Sequence, residues 1–275
     1  MAMSRFTATE PNAAEEWRVG ALSARPILRT LPDEAAIGIS YDGRPHVVLM
    51  ATPTDVEDLA VGFTLSERVV AVSSIGEIVV TEQDEGVAVD IKLDHDVRRE
   101  KARARMLEGR SSCGLCGVQR LKQAVRVMPP VGQDFRVTRD AIQASLAALE
   151  QEQALGRLTR AMHAAAWADA SGRILAVRED VGRHNALDKL IGHGARNGLD
   201  ASAGMVVVTS RCSFEMVEKA AVAGFQMIVA ISAPTALALR KAEEAGLTLV
   251  ALARADGHSV FTHPERILEN VALAV

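Results

Sequence analysis

The chain has 275 residues, of which 48% are hydrophobic and 24% are charged, with a formal net charge of -4. That length allows one large domain or two modest ones, and the mild negative charge argues against bulk attraction to nucleic acid or to an anionic membrane. No apolar run reaches the roughly 18 residues that a membrane helix requires, and the N-terminal sequence lacks the basic-then-apolar pattern of a signal peptide. We therefore expect a cytoplasmic protein with no nucleic-acid or membrane partner.

The N-terminal part of the chain has the pattern of a tail followed by a small subdomain. Residues 1–22 are polar and predict a loose, flexible tail. Residues 23–128 predict an N-terminal α+β subdomain, in which Ala36 to Met50 alternates like a hairpin and Asp42-Gly43 is a strong turn signal. Two further short strands are predicted at 78–80 and 87–93.

Between the hairpin and these strands the sequence predicts a helix. Thr52-Pro53 and the capping-box pattern from Thr54 to Glu57 are both typical of a helix start. Apolar residues then recur on one helical face. They are Val56, Leu59, Ala60 and Phe63.

Beyond Pro129-Pro130 the predicted elements alternate between helix and strand over residues 129–275. The predicted strands are 173–177, 205–209, 227–231 and 247–253. The predicted helices begin at Thr138, Arg183, Ser213 and Pro234. Short loops between alternating elements favour right-handed crossovers and a mostly parallel sheet. The sequence therefore predicts an α/β protein, in which a C-terminal three-layer α/β domain follows the α+β subdomain.

Two of the three cysteines form the motif Cys113-x-x-Cys116. An odd cysteine count in a sizeable cytoplasmic chain argues against a disulfide scaffold. Small residues surround the motif in the loop 109–117, so we expect accessible sulfurs, and the connector 94–110 before it is rich in arginine. Three interpretations stay open from the residues alone: half of a structural zinc site, a redox dithiol, and a carrier thiol that accepts sulfur as a persulfide.

Two strand-to-helix turns are candidate anion sites, because ligands bind at the carboxyl edge of open α/β sheets. One turn holds Arg183 and His184 at a helix N-terminus, and the other holds Arg211. A solvated cap with a salt-bridging arginine is the competing interpretation. Cys212 is interpreted as a buried small hydrophobic residue, and His163, within an apolar run, as a satisfied core histidine.

Seven motifs extend along nearly the whole predicted fold. They are ATPTD at 51–55, GRSSCGLCGV at 109–118, HAAAW at 163–167, VREDVGRHNALDKLIG at 177–192, TSRCSFEMVEKAA at 209–221, AISAPTALA at 230–238 and THPERI at 262–267. In sequence and in order, these motifs resemble the FdhD family of formate dehydrogenase accessory sulfurtransferases. Because several are long, the resemblance is specific.

The resemblance implies a sulfur carrier that accepts persulfide sulfur from a cysteine desulfurase. The carrier would pass the sulfur to the molybdenum bis-pterin guanine dinucleotide cofactor, which is needed to activate formate dehydrogenase. Cys113 matches the family's persulfide cysteine, and Cys116 matches its second cysteine. The resemblance further implies a cytidine-deaminase-like C-terminal domain and a homodimer. We expect no metal held by the protein's own ligands.

The resemblance also implies where the cofactor binds. The family's guanine dinucleotide site corresponds to six consecutive residues: His258, Ser259, Val260, Phe261, Thr262 and His263. The dinucleotide phosphates are expected at the helix N-termini near Arg183, His184 and Arg211.

The chain departs from the family pattern at three places. Arg160 stands where the family's T-G-x-x-H motif has glycine, and Arg68 stands where a Ser-Glu-Gly-like turn ends a helix. His258 and Phe261 stand where the family often has Asn and Tyr. We expect these differences to affect cofactor contacts and not the cysteine chemistry.

Two other functions are kept as alternatives. A zinc-dependent deaminase-type hydrolase would share the fold, but such enzymes require H-x-E and P-C-x-x-C. Here His163 is followed by two alanines, and Ser112 precedes Cys113. A non-catalytic maturation scaffold would hold the desulfurase and the dehydrogenase together and would need neither cysteine.

Overall fold

The computed structural model describes residues 6–20, 22–94 and 127–269. Within these ranges the strands are β1 Thr9–Glu16, β2 Arg25–Pro32, β3 Ala35–Tyr41, β4 Arg44–Ala51, β5 Ile75–Gln83, β6 Gly86–Leu93, β7 Val137–Thr138, β8 His163–Asp169, β9 Ile174–Asp180, β10 Gly204–Val208, β11 Met227–Ala230, β12 Thr248–Arg254, β13 Gly257–Val260 and β14 Ile267–Leu268. The helices are α1 Val56–Ser66, α2 Arg139–Glu152, α3 Ala154–Thr159, α4 Arg183–Asn197, α5 Phe214–Ala223 and α6 Ala236–Ala245. None of these helices is both long and apolar enough to cross a membrane.

The first described element is a strand, so the prediction of a loose tail over residues 1–22 is wrong for Thr9–Glu16. β1 pairs with β2 in an antiparallel two-stranded ribbon. Most β1 side chains are exposed, so the strand lacks the apolar alternation by which sequence patterns reveal strands. Its pairing comes instead from β2, where Arg25 and Arg29 both contact the carboxylate of Glu16.

The predicted hairpin is confirmed and forms part of a four-stranded sheet in the order β4-β3-β6-β5. Asp42 and Gly43 both have positive φ angles, 50° and 75°, as a two-residue turn between twisted strands requires. The strands predicted at 78–80 and 87–93 are confirmed as β5 and β6. Leu59 and Phe63 of α1 join the core of this sheet, which confirms the predicted apolar face.

The predicted capping box at the start of α1 is wrong. The residue that begins the helix is Asp55, in a left-handed conformation with φ 51°, and no side chain caps it. Tertiary contacts set this start, because Thr52 is completely buried and its backbone N–H donates to Asp180 Oδ2 at 3.0 Å. The contacts of Thr52 with Asp180 and Val181 thus hold the chain where it enters α1.

The C-terminal half is built on a six-stranded sheet in the order β13-β12-β11-β10-β8-β9. The prediction of a mostly parallel sheet is wrong. Only β10–β11 and β11–β12 are parallel pairs, while β8 pairs antiparallel with both β10 and β9, and β13 pairs antiparallel with β12. The alanine-rich sequence of β8 gives a weak strand signal, since alanine has low β-propensity. The domain boundaries themselves stay predictions.

Helices cover both faces of this sheet, which confirms the predicted three-layer arrangement. Val206 and Val208 of β10 face a core formed with α4, α5 and α6. Met205 and Val207 face the opposite core, which includes Ile142 of α2. Thr138 caps α2 as predicted, because its hydroxyl accepts from the Ala141 backbone N–H at 3.1 Å.

The two halves of the molecule meet where α1 crosses α4 with backbone against backbone. A Cβ atom at Gly62 of α1 would lie 1.7 Å from the carbonyl oxygen of Asp188. A Cβ atom at Gly192 of α4 would lie 1.9 Å from the carbonyl oxygen of Asp58. Only glycine fits at these two positions, because any side chain would overlap the backbone of the facing helix. The two glycines therefore allow the backbones of α1 and α4 to touch.

Buried ion pairs join the same two halves. Lys189 Nζ lies 2.7 Å from Asp180 Oδ2, with both side chains fully buried, and it also donates to the Thr52 carbonyl at 2.9 Å. Asp58 of α1 lies 2.8 Å from Arg178 and 2.5 Å from Arg196. Because breaking a buried pair leaves an uncompensated charge, these contacts fix the orientation of α1 on α4.

The helix crossing predicts an unusual response to alanine. An exposed glycine in a helix interior usually gains about 1 kcal/mol of stability on change to alanine. Gly62→Ala should instead lower the free energy of unfolding by about 3 kcal/mol, because its new methyl group overlaps a backbone carbonyl. Urea unfolding measures this. Gly38→Ala is the matched control, since its Cβ would meet nothing closer than 4.0 Å; equal behaviour of the two variants would contradict the crossing.

Candidate functional site at the carboxyl edge of the central sheet

The two predicted strand-to-helix turns lie on one edge of the six-stranded sheet. β8 runs antiparallel between β9 and β10, so His163 at its start pairs with Asp180 at the end of β9. Thr209 follows β10 and its hydroxyl accepts from the Ala164 backbone N–H at 2.9 Å. The predicted placement of both turns on the same edge is therefore confirmed.

Two helices begin at this edge without a side-chain cap. Gly182 precedes α4, and Ser213 precedes α5, but neither supplies a capping hydrogen bond from its side chain. In contrast, the hydroxyl of Thr235 caps α6 by accepting from Ala238 N–H at 3.2 Å. Uncapped first turns keep backbone N–H groups and the positive end of the helix dipole available to an anion.

His184 lies in the first turn of α4 and is buried, with 6% of its surface exposed. Neither of its ring nitrogens has a hydrogen-bond partner among the described residues. Burial lowers the pKa of His184 to about 3, and the positive charges of Lys219 and Arg183 contribute, against the opposing charge of Glu67. The ring is therefore neutral at physiological pH.

His163 is half-buried at the start of β8. Burial and then the positive charge of Arg183 lower its pKa, while Asp180 opposes the change. Its interaction with His184 also lowers the pKa of His184. The two histidines thus lie at one site instead of in separate parts of the core.

Lys219 of α5 lies beneath this edge and ties three helices together. Its ammonium group donates to both carboxylate oxygens of Asp188 at 2.9 Å and to Ser66 Oγ at 2.8 Å. Glu67 Oε1 lies 3.5 Å away. Although burial opposes it, the carboxylates of Asp188 and Glu67 raise the pKa of Lys219. Lys219 therefore stays protonated, and the carboxylates of Asp188 and Glu67 compensate its charge.

The sequence patterns do not predict Lys219 and Glu67 as residues of this site. The signal was present, because Lys219 interrupts the apolar face formed by Met216, Val217 and Ala220. A lysine on the buried face of an amphipathic helix requires a buried carboxylate. Which carboxylate it meets depends on the crossing of α1 and α4.

Cys212 is fully buried and belongs to the core. Burial raises the pKa of its thiol to about 12, so it carries no thiolate at neutral pH. This confirms its interpretation as a small hydrophobic residue. Cys113 and Cys116 lie outside the described residues, together with the predicted loop 109–117.

The chain re-enters the described structure at Val127, beside the candidate site. Arg68 Nη2 donates to the carbonyl oxygen of Val127 at 3.3 Å and lies 3.9 Å from Glu218 of α5. Met128 N–H donates to Glu244 at 3.2 Å. This junction is therefore fixed at the end of α1 and next to α5.

Arg68 and Arg160, where the resemblance implies glycine, both adopt the left-handed backbone conformation. Arg68 has φ 57° and Arg160 has φ 58°. Arg160 ends α3 in this conformation, which glycine adopts without strain. Each position thus keeps the backbone of a glycine while carrying a long cationic side chain.

Arg160 also lines a surface cleft of about 430 Å³. The cleft lies between α2, α3 and the approach to His163. Its lining residues are Glu150, Gln153, Gly156, Arg157, Arg160 and Met162. Arg160 therefore adds a positive charge to the lining of this cleft.

The six residues matched to the guanine dinucleotide site do not lie with Arg183, His184 and Arg211. His258, Ser259 and Val260 are on β13, the edge strand furthest from β9. His258 Nδ1 lies 2.9 Å from Gln143 Nε2 of α2, and burial lowers its pKa. Arg183 and Arg211 follow β9 and β10, several strand spacings away.

The end of this segment is further still, near the amino end of β12. Thr262 is buried, and its hydroxyl accepts from Leu249 N–H and donates to the Leu247 carbonyl, at 2.8 and 2.7 Å. His263 lies 3.7 Å from Glu243 and 3.3 Å from Glu265. Carboxylates beside His263 disfavour a phosphate there. Phe261 is 40% exposed and has a free aromatic surface.

The fold and the carboxyl-edge site define an α/β protein with a candidate anion site at two helix N-termini. The profile of the FdhD/NarQ family matches residues 32–268. The chain is also 45% identical over 264 residues to the sulfur carrier protein FdhD of Cupriavidus necator, covering 95% of this chain and 91% of that one. The protein therefore belongs to the FdhD/NarQ family.

Other relatives and a solved structure agree with this assignment. The chain is 46% identical over 242 residues to the sulfur carrier protein FdhD of Xanthomonas euvesicatoria, covering 87% of this chain and 86% of that protein. It is also similar to the crystal structure of a proposed formate dehydrogenase accessory protein from Desulfotalea psychrophila. The TM-score is 0.76 with 25% identity, and the match covers 95% of this chain and 100% of that one.

Replacing Arg160 by glycine should stabilise the protein. The left-handed conformation costs a residue with a side chain about 1 kcal/mol relative to glycine, so Arg160→Gly should raise the free energy of unfolding by about that amount. Arg157→Gly, inside the same helix, should lower it by about 1 kcal/mol. Urea unfolding compares the two, and a loss of stability in both variants would contradict the strain at Arg160.

His184 should make stability depend on pH. The unfolded chain binds a proton at this histidine below about pH 6.5, whereas the folded protein does not until about pH 3. Stability present above pH 6.5 is therefore lost as the pH falls, by about 2 kcal/mol between pH 7 and pH 5. Urea unfolding at pH 7 and at pH 5 measures this change. Between these pH values, His184→Gln should lose about 2 kcal/mol less of its free energy of unfolding than wild type does. An identical loss in both proteins would contradict the neutral, buried ring.

Proposed function

We propose that this protein is a sulfurtransferase that carries sulfur as a persulfide on Cys113 during the activation of formate dehydrogenase. The observation that carries the proposal is the Cys113-x-x-Cys116 motif in a chain whose FdhD/NarQ match extends over residues 32–268. Two relatives that are 45% and 42% identical to this chain are named sulfur carrier protein FdhD. The burial of Cys212 supports the assignment, because that thiol is unavailable for exchange.

Sulfur loading is a thiol–persulfide exchange. The thiolate of Cys113 attacks the outer sulfur of a persulfide on a cysteine desulfurase. A new sulfur–sulfur bond forms at Cys113, the desulfurase S–S bond breaks, and the desulfurase cysteine leaves as a thiolate. Small residues on both sides of Cys113 favour such an exchange, because the sulfur must reach two different protein sites.

Cys116 gives the carrier a second possible reaction. Attack by its thiolate on the inner sulfur of the Cys113 persulfide would release hydrosulfide and leave a Cys113–Cys116 disulfide. A productive carrier must avoid this loss, so we propose that Cys116 is held away from Cys113 or acts as a relay for the sulfur.

The proposed acceptor is the molybdenum bis-pterin guanine dinucleotide cofactor, bound as a substrate. Its phosphates would bind at the uncapped starts of α4 and α5, where Arg183 and Arg211 add positive charge. The carboxylates of Glu243 and Glu265 beside His263 would disfavour a phosphate at that residue, which supports phosphate binding elsewhere.

The proposed setting is the cytoplasm, and the proposed partners are a cysteine desulfurase, formate dehydrogenase and a second copy of this chain. The described structural neighbour is a proposed formate dehydrogenase accessory protein. Dimer formation is supported by exposed apolar side chains on the β1–β2 ribbon and its turn, including Trp17 and Leu28.

The decisive experiment is mass spectrometry after incubation with a cysteine desulfurase and free cysteine. Wild-type protein should gain the mass of one sulfur atom, and Cys113→Ala should not. Cys212→Ala is the matched control and should load normally, because that thiol is buried. Loading of Cys113→Ala would contradict the carrier assignment. Full dehydrogenase maturation by that variant would instead favour a non-catalytic scaffold.

A further inference from the structure

The surface cleft between α2 and α3 has no role in the proposed sulfur transfer. Its volume is about 430 Å³. Since one water molecule takes up about 30 Å³ of liquid, this space corresponds to about 14 water molecules. Ligand clefts in proteins usually have volumes from about 300 Å³ upward. The cleft is therefore large enough for a small organic molecule the size of a short peptide.

Hydrogen bonds to the central sheet fix the wall of the cleft that α3 forms. The carboxylate of Glu179, on β9, accepts from the backbone N–H groups of Leu155 and Gly156 at 2.9 and 2.7 Å. Both carboxylate oxygens of Glu179 are used in these bonds. A Cβ atom at Gly156 would lie 3.0 Å from Glu179 Oε1, so glycine leaves room for the contact. The helix that carries Arg157 and ends at Arg160 is thus anchored on the sheet.

The charged side chains that line the cleft do not neutralise one another. Within the part of the chain that the structure describes, the side chains of Glu150 and Arg160 have no ion-pair or hydrogen-bond partner. Arg157 donates to the backbone carbonyl of Gln151 and forms no ion pair with a described residue. A guanidinium group has five N–H donors, so most of those on the two arginines stay available to a ligand.

Arg160 brings its charge to the cleft in an unfavourable backbone conformation. Its φ angle is 58°, and its backbone N–H donates to the Gly156 carbonyl at 2.7 Å. The left-handed conformation is unfavourable for any residue with a side chain, and strain of this kind is concentrated at ligand sites and switch regions. No polar contact of the Arg160 side chain with another described residue offsets this cost. Contact with a ligand would offset it.

We propose that this cleft binds a short acidic peptide that carries one ammonium group and two carboxylate groups. The lining provides the complementary set of charges, with guanidinium groups from Arg157 and Arg160 and a carboxylate from Glu150. Guanidinium groups pair with carboxylates through two parallel hydrogen bonds. The amide of Gln153 can bond to a peptide group, and Met162 offers an apolar contact for a side chain.

The Glu150 carboxylate decides between this ligand and a simple anion. An anion without a cationic group of its own would be repelled by Glu150, whereas the ammonium group of a peptide would be attracted to it. Peptide binding at this cleft does not depend on sulfur transfer, so it can be tested whether or not Cys113 carries a persulfide.

Saturation-transfer NMR with S-methylglutathione tests the proposal, because this peptide has one ammonium group, two carboxylates and no free thiol. Wild type should bind it, and binding should weaken as the salt concentration rises. Arg160→Gly should bind it about threefold more weakly, as expected for loss of one exposed ion pair. This variant also relieves the backbone strain, so weaker binding cannot come from a failure to fold. Arg173→Gln, at the opposite end of β9 from Glu179, is the matched control and should bind like wild type.

A second pair of measurements assigns the ammonium group to Glu150. Acetylation of the peptide's amino group should weaken its binding to wild type by about threefold but should not weaken binding to Glu150→Gln. Glu152→Gln, on the same helix but outside the cleft lining, should respond to acetylation as wild type does.

Three results would overturn the proposal. The first is no saturation transfer from wild type to the unmodified peptide. The second is equal binding of the acetylated and unmodified peptides to wild type, which would indicate a simple anion site. The third is unchanged peptide binding by Arg160→Gly.

Discussion

The close crossing of α1 and α4 is the constraint on which the rest of this structure depends. Gly62 and Gly192 allow the two backbones to touch, and the buried pair of Lys189 and Asp180 holds the approach to α1 in place. The candidate site takes Glu67 and Arg68 from the end of α1 but His184 from α4. Its charges therefore have their observed arrangement only while this crossing is kept.

Local signals in the sequence predicted the elements whose geometry is locally determined. Asp42-Gly43 specified its hairpin because both residues tolerate positive φ angles. The apolar runs of β10 and β11 indicated strands covered on both faces. The sequence could not predict β1, whose polar residues depend on β2 for pairing. The prediction for the start of α1 was wrong for a similar reason. Thr52 is fixed by Asp180, a residue 128 positions away.

The candidate site was predictable in position but not in composition. Strand-to-helix turns at Arg183 and Arg211 could be assigned to one edge from the general rule for α/β sheets. The sequence did not reveal that Lys219 would lie beneath that edge, because its partner Asp188 comes from another helix. Nor did it reveal that the segment ending at His263 would lie near the amino end of β12, since β13 was not predicted as a separate strand.

Burial in the core decides the chemistry of Cys212. Cys212 lies in the core, where burial raises its thiol pKa to about 12 and leaves it without a nucleophilic form. Cys113 and Cys116 lie among small residues in a segment flanked by arginines. If Cys113 carries a persulfide as proposed, a third reactive thiol would compete for that sulfur. Burying Cys212 removes that competition, while the core keeps the packing contribution of its side chain.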